Sequence, residues 1–149
     1  MTCIGPLRSI AGVVLLGLIA ACSGGEPAAV PAKGVNTMQS VELKAGTGEG
    51  ITAGKIAVVN YTGWLYDASA KDNKGKQFDS SLKAGQPFRF PVGAGQVIKG
   101  WDQGVLDLKV GGSRRLIIPP ELAYGDSGAG GVIPPGATLV FDIDLVAIE

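Results

Sequence analysis

Thr138-Leu139-Val140-Phe141-Asp142-Ile143-Asp144-Leu145-Val146-Ala147-Ile148, just before the last residue Glu149, has a period of two. Leu139, Phe141, Ile143 and Leu145 fall on one side of an extended backbone, and Val140, Asp142 and Asp144 on the other. This predicts a half-buried antiparallel strand lying over a core. Working back along the chain, Arg114–Pro119 (RRLIIP) predicts a second strand, stopped by Pro119-Pro120. Ile56–Tyr66 (IAVVNYTGWLY) is β-branched and aromatic, the composition of a third. Phe88–Val92 (FRFPV) alternates as well, but its proline confines it to an edge or a bulge. Val41 and Leu43 alternate with polar neighbours before Gly46–Gly50 turns the chain. One helix is predicted, because Val97, Trp101, Val105 and Leu108 recur at helical spacing. Gly100 and Gly104 weaken it intrinsically, so packing must hold it, and Gly111-Gly112 closes it. Asp67–Lys76 (DASAKDNKGK) is polar and predicts an exposed loop. The sum is an antiparallel sheet with a single helix on one face, an α+β domain.

The 149 residues suit one such domain, and 46% hydrophobic residues suffice for a core. Glycine (24) and proline (9) favour a turn-rich, mainly β body over a helical bundle. Lys+Arg and Asp+Glu are both 13. That balance lacks the basic field with which a nucleic-acid binder displaces counterions. There is no histidine, and the two cysteines, Cys3 and Cys22, both precede the body. Ser-His-Asp and Cys-His triads, His-containing zinc sites, a disulfide framework and iron–sulfur ligation are therefore excluded from it. An enzyme on this scaffold works without covalent or imidazole chemistry.

The N-terminus reads as an address. Met1–Arg8 carries one positive charge, and Ile10–Ala21 is an apolar run of 12 residues. A bilayer span takes about 20, so the run fits a secretory signal peptide instead. Leu18-Ile19-Ala20-Ala21-Cys22 resembles the bacterial lipobox, with Ile19 a permitted variant of the commoner leucine. The alternative is an ordinary signal peptide with an incidental cysteine. Acylated at Cys22, the chain would be held at a membrane on the periplasmic side, where Ser23, in place of aspartate, favours the outer membrane over the inner. Ser23–Thr37 is rich in Gly, Pro and Ala and reads as a tether. The expected organisation is residues 1–21 signal peptide, 22–37 lipidated cysteine and tether, and 38–149 folded domain.

Five blocks then appear in a fixed order: Val59-Asn60-Tyr61-Thr62-Gly63, Phe78-Asp79-Ser80-Ser81, Val97-Ile98-Lys99-Gly100-Trp101, Ala123-Tyr124-Gly125 and Ile133-Pro134-Pro135-Gly136-Ala137-Thr138-Leu139-Val140-Phe141. Together they resemble the FKBP-type peptidyl-prolyl cis/trans isomerases over essentially all of Met38–Glu149. The resemblance implies a five- or six-stranded antiparallel sheet wrapped around one short helix. It also implies rotamase activity on X–Pro bonds, with proline-containing polypeptides as substrates and macrolides of the FKBP type as inhibitors. No nucleic acid, metal or cofactor is implied, and monomer is the default state.

By position, the resemblance makes Trp101 the floor of a proline pocket, with Phe78, Phe88 and Phe141 as its walls and Val97 and Ile133 at its rim. The Ile98 N–H and the Tyr124 hydroxyl would bond substrate carbonyls, and Asp79, held by Tyr61, would stand beside the twisted carbonyl. Each residue also has a plainer reading taken singly. The aromatics and Trp101 could be core, and Asp79 a turn residue; only the joint pattern makes a site. Phe90 could be core or pocket edge. Two departures from the family pattern are Leu122, where many members carry tyrosine, and Ala129, where some carry histidine. The flap Asp126–Gly131 is glycine-rich. Two other uses of such a domain are a chaperone that only holds partners and a surface-displayed adhesion factor.

Overall fold

The computed structural model of the chain describes residues 35–149. The signal peptide, Cys22 and nearly all of the tether lie outside the described residues. Six strands form one antiparallel sheet: β1 Gln39–Lys44, β2 Ile56–Tyr66, β3 Lys74–Ser80, β4 Phe88–Pro91, β5 Ser113–Ile118 and β6 Leu139–Ile148. Two short helices accompany them, α1 Ser81–Ala84 and α2 Lys99–Gly104. The strand order is β1-β5-β6-β2-β3, with β4 also on β2. The expected sheet and its α+β class are thus present. No helix among the described residues is long and apolar enough to cross a membrane.

The two longest strands, β2 and β6, pair over most of their length, from Ala57↔Ile148 to Leu65↔Leu139. The far edge of β2 is shared: β4 pairs with it from Ile56 to Val59, and β3 from Thr62 to Tyr66. Pro91 tolerates its place because β4 is an edge strand. Leu139, Phe141, Ile143 and Leu145 enter the main core with Val59, Trp101, Leu116 and Ile118. Phe90 belongs to that core, with 2% of its surface exposed.

The other face of β6 is covered too. Val140 is fully buried with Val35 and Ile117, flanked by Trp64 and Tyr66. Among the described residues, apolar packing therefore reaches back to Val35, three residues ahead of Met38. Asp142, also on that face, accepts from Arg115 Nε at 2.7 Å and from Lys74 Nζ at 2.6 Å. Burial alone would raise its carboxyl pKa, but the hydrogen bonds and charges of Arg115 and Lys74 outweigh this and hold it below the ordinary carboxylate value.

Two local expectations are corrected. The predicted helix from Val97 to Leu108 shrinks to α2, with Ile98 and Val105 as its caps. Beyond it, Asp107 adopts a left-handed φ of 63°, and the Leu108 carbonyl accepts from Ile51 instead. Leu108 is thus buried, and Val97 partly buried, from outside the helix by flanking turns. Gly100 and Gly104 have a packing reason. A Cβ on Gly100 would lie 2.5 Å from Ile118 Cγ2, and one on Gly104 2.5 Å from Leu116 Cδ1, so glycine lets α2 lie directly on β5. The predicted exposed loop 67–76 ends early, because Lys74–Lys76 open β3. Lys74 pairs opposite Tyr66 and sets its ammonium 4.1 Å over the Trp64 ring. A side chain with both a cation–π contact and an ion pair is anchored, whatever its polarity.

Candidate functional site

Tyr61, near the middle of β2, points its ring to the same side as α2, where Trp101 forms the floor of an open cavity of about 370 Å³. Trp101 is 4% exposed and Phe141 equally so. The rings meet edge to face: Tyr61–Trp101 centroids are 4.9 Å apart at 79°, Trp101–Phe141 5.2 Å at 87°, and Phe78–Phe141 5.6 Å at 89°. This is the preferred geometry for aromatic quadrupoles, so the walls are mutually braced. Phe88, 40% exposed, leans edge-on to Tyr61 at the mouth. Gly63 makes the wall possible: a Cβ there would sit 2.7 Å from both Phe78 Cζ and Phe141 Cε1.

Polar groups also line this apolar cup. Tyr61 Oη donates to Asp79 Oδ2 at 2.6 Å, and Asp79 Oδ1 accepts from the Ser80 amide at 2.8 Å. Burial, then the hydrogen bond to Asp79 and the charge of Asp79, push the Tyr61 phenol well above the ordinary range. Tyr124, 41% exposed, is also raised, by burial first and by the Asp79 charge second. Both phenols therefore remain neutral hydroxyl donors at neutral pH. Ile98 caps α2: its carbonyl accepts from the Trp101 and Asp102 amides. As the cap, its own N–H lies outside the helix ladder. Asp102 steadies the approach to it, accepting from the Gly93 amide at 2.9 Å and the Gly95 amide at 3.1 Å.

Of the ten pocket residues expected from sequence, nine line this cavity: Tyr61, Phe78, Asp79, Phe88, Val97, Ile98, Trp101, Tyr124 and Phe141. Ile133 does not. It is 6% exposed within the main core, and both its amide and its carbonyl bond Ala129. Gln96 lines the cavity without having been expected there; its place directly before Val97-Ile98 was the available signal. The Trp101 Nε1 donor is buried without a hydrogen-bond partner among the described residues. No group of three or more His, Cys, Asp or Glu in the described region could hold a metal ion.

A model of the FKBP-type peptidyl-prolyl cis-trans isomerases matches residues 47–146. The chain belongs to the FKBP-type peptidyl-prolyl cis-trans isomerase family. It is 49% identical over 107 residues to an FK506-binding protein of Neisseria meningitidis serogroup B, covering 72% of this chain and 92% of that protein. It is 57% identical over 91 residues to FK506-binding protein 2B of Rhizopus delemar. That match covers 61% of this chain and 41% of the fungal protein, so the chain spans about two fifths of that relative's length. Among solved structures, AtFKBP13 aligns with a TM-score of 0.66 at 36% identity, over 79% of this chain and 98% of that one. In this FKBP-type domain the matched region contains the whole cavity.

Proposed function

We propose that the protein accelerates cis/trans rotation of X–Pro bonds in polypeptides of the bacterial envelope, acting from a lipid anchor on Cys22. Uncatalysed rotation faces a barrier of roughly 18–20 kcal/mol, because amide resonance must be broken, and takes tens to hundreds of seconds. Reaching milliseconds requires about ten-thousand-fold acceleration, roughly 5–6 kcal/mol of selective stabilisation. The twisted amide has lost charge separation and is less polar than the planar one. An apolar cup therefore favours it over the ground state without acid, base or nucleophile.

The observation carrying this reading is the aromatic cavity floored by Trp101 with the Tyr61–Asp79 pair at one side. In the proposed roles, the prolyl ring rests on Trp101 between Phe78, Phe88 and Phe141, with Val97 at the edge. The Ile98 N–H and the Tyr124 hydroxyl bond substrate carbonyls and fix the chain on either side of the rotating bond. Asp79, oriented by Tyr61, faces the carbon of the twisting carbonyl. Macrolides of the FKBP type would compete for the same cavity.

A protease-coupled Leu-Pro peptide assay on the full chain tests the activity. Acceleration that falls at least tenfold in both Asp79→Val and Phe141→Ala, with each variant folded, is the expected result. A folded parent no faster than buffer would overturn the reading. For the anchor, fractionation with labelled palmitate should place label and membrane association on the parent and on neither in Cys22→Ala; an unlabelled parent refutes the anchor.

A further inference from the structure

Between β3 and β4 the shared edge of β2 is interrupted. Thr62 pairs with Ser80 and Val59 with Phe88, but Asn60 and Tyr61 have no strand partner on that side. A buried amide left open there would cost about as much as a lost hydrogen bond. Ser81, the first residue of α1 and 4% exposed, fills the gap: its Oγ accepts from the Tyr61 amide at 2.9 Å. The same hydroxyl lies 3.4 Å from the Tyr61 carbonyl, its acceptor, and Ser80 Oγ donates to that carbonyl at 3.2 Å. Ser80 also caps α1, accepting from the Leu82 amide at 3.3 Å.

We propose that Ser81 is a positioning residue for isomerisation, clamping the two backbones from which Tyr61 and Asp79 reach each other. The inference rests on the isomerase reading above. The Tyr61–Asp79 hydrogen bond has one end on β2 and the other on the segment leading into α1. The ladder already sets Asp79 opposite Gly63 and Ser80 opposite Thr62, and the Ser81 contact carries that attachment one step further, onto the Tyr61 backbone inside the gap. Release of that contact frees the Tyr61 backbone, so the phenol that orients the carboxylate shifts against it, and misplacement of about 1 Å can cost on the order of a hundredfold in rate. Ser81 does not line the cavity, and its side-chain hydrogen bonds go to Asn60 and Tyr61, so Tyr61 is its link to the site.

The test is a double-mutant cycle on the full chain, with kcat and KM measured separately well below the melting temperature. Ser81→Ala is expected to lower kcat about tenfold with KM changed less than about twofold. In a Tyr61→Phe background, which already lacks the bond to Asp79, the same change should cost less than about twofold. Ser81→Thr, which keeps the hydroxyl, should recover most of kcat. An equal loss in both backgrounds, or lowered stability at unchanged kcat, would overturn the proposal while leaving the isomerase reading in place. If Ser81→Ala does not fold, Ser81→Cys, close in shape but a weak acceptor, carries the same cycle, and the same two outcomes support or overturn the proposal. An inactive parent would instead refute the isomerase reading itself, and this inference with it.

Discussion

Tyr61 Oη and Asp79 Oδ2 are 2.6 Å apart, joined by a hydrogen bond that crosses from the central strand to the strand at its edge. The bond fixes the only carboxylate in the cavity lining, beside rings that otherwise present no charge. Tyr61→Phe removes the donor and keeps the ring. The expected outcome is a loss of about tenfold in kcat/KM, since a hydrogen bond to a charged group contributes about 1.5–3 kcal/mol. Circular dichroism should remain unchanged.

The same pair sets the alkaline behaviour. The Tyr61 and Tyr124 phenols are raised above the ordinary value, each by burial first. Protonated phenols are therefore favoured by the folded state, and their stabilising contribution is complete below about pH 10. It is lost as pH climbs from there toward the raised folded values. Isomerisation should stay level from about pH 6 to about pH 10, and stability should fall above about pH 10 less steeply in Tyr61→Phe than in the parent. Urea melts across that range read the slope.

Asp142 supplies the acid counterpart. Its folded carboxyl lies below its unfolded value, so its contribution is present above about pH 4 and lost as pH falls through the folded pKa. Asp142→Asn should be less stable than the parent at neutral pH and should lose less on going from about pH 5 to about pH 2. Parallel melting curves for the two proteins over that window would contradict the role given to Arg115 and Lys74.

Much of the site is legible in the sequence because the residues carrying it recur in short contiguous blocks. Val59–Gly63 and Phe78–Ser81 hold Tyr61, Phe78 and Asp79 within a few positions of one another, and the alternation of Thr138–Ile148 gives β6 its inward face. The helix reads too long because Val97 and Leu108 keep a helical spacing by accident of turns, one of them set by the left-handed Asp107. Lys74–Lys76 and α1 escape a reading by pattern because their polar residues are fixed by partners distant in sequence, Asp142 for Lys74 and Asn60–Tyr61 for Ser81. Ile133 carries the right type of side chain for a rim but is drawn inward by its bridge to Ala129. Period-two patterns report which way a side chain faces, and contacts of that kind leave no period.

Val35 marks a further consequence of the covered back face. Its side chain is 8% exposed against Ile117 and Val140. Val35→Ala removes two methyl groups and should cost about 1.5 kcal/mol of stability in a urea melt, with kcat/KM unchanged. A variant indistinguishable from the parent would show that the back-face cluster contributes nothing.

Phe141 joins wall and core, so its truncation should register twice. Phe141→Ala is expected to lose about 3–5 kcal/mol of stability as well as activity, whereas Phe88→Ala, at the exposed mouth, should lose activity with a much smaller stability change. Chemical denaturation alongside the peptide assay separates the two.

The most direct measurement is kcat/KM for a Leu-Pro peptide with the full chain, by NMR exchange, in H2O and in D2O. Catalysis by a desolvated cavity, with no proton in flight, predicts acceleration of several orders of magnitude over buffer and an isotope ratio close to one. An absent acceleration, or a ratio of about two or more, would contradict the account.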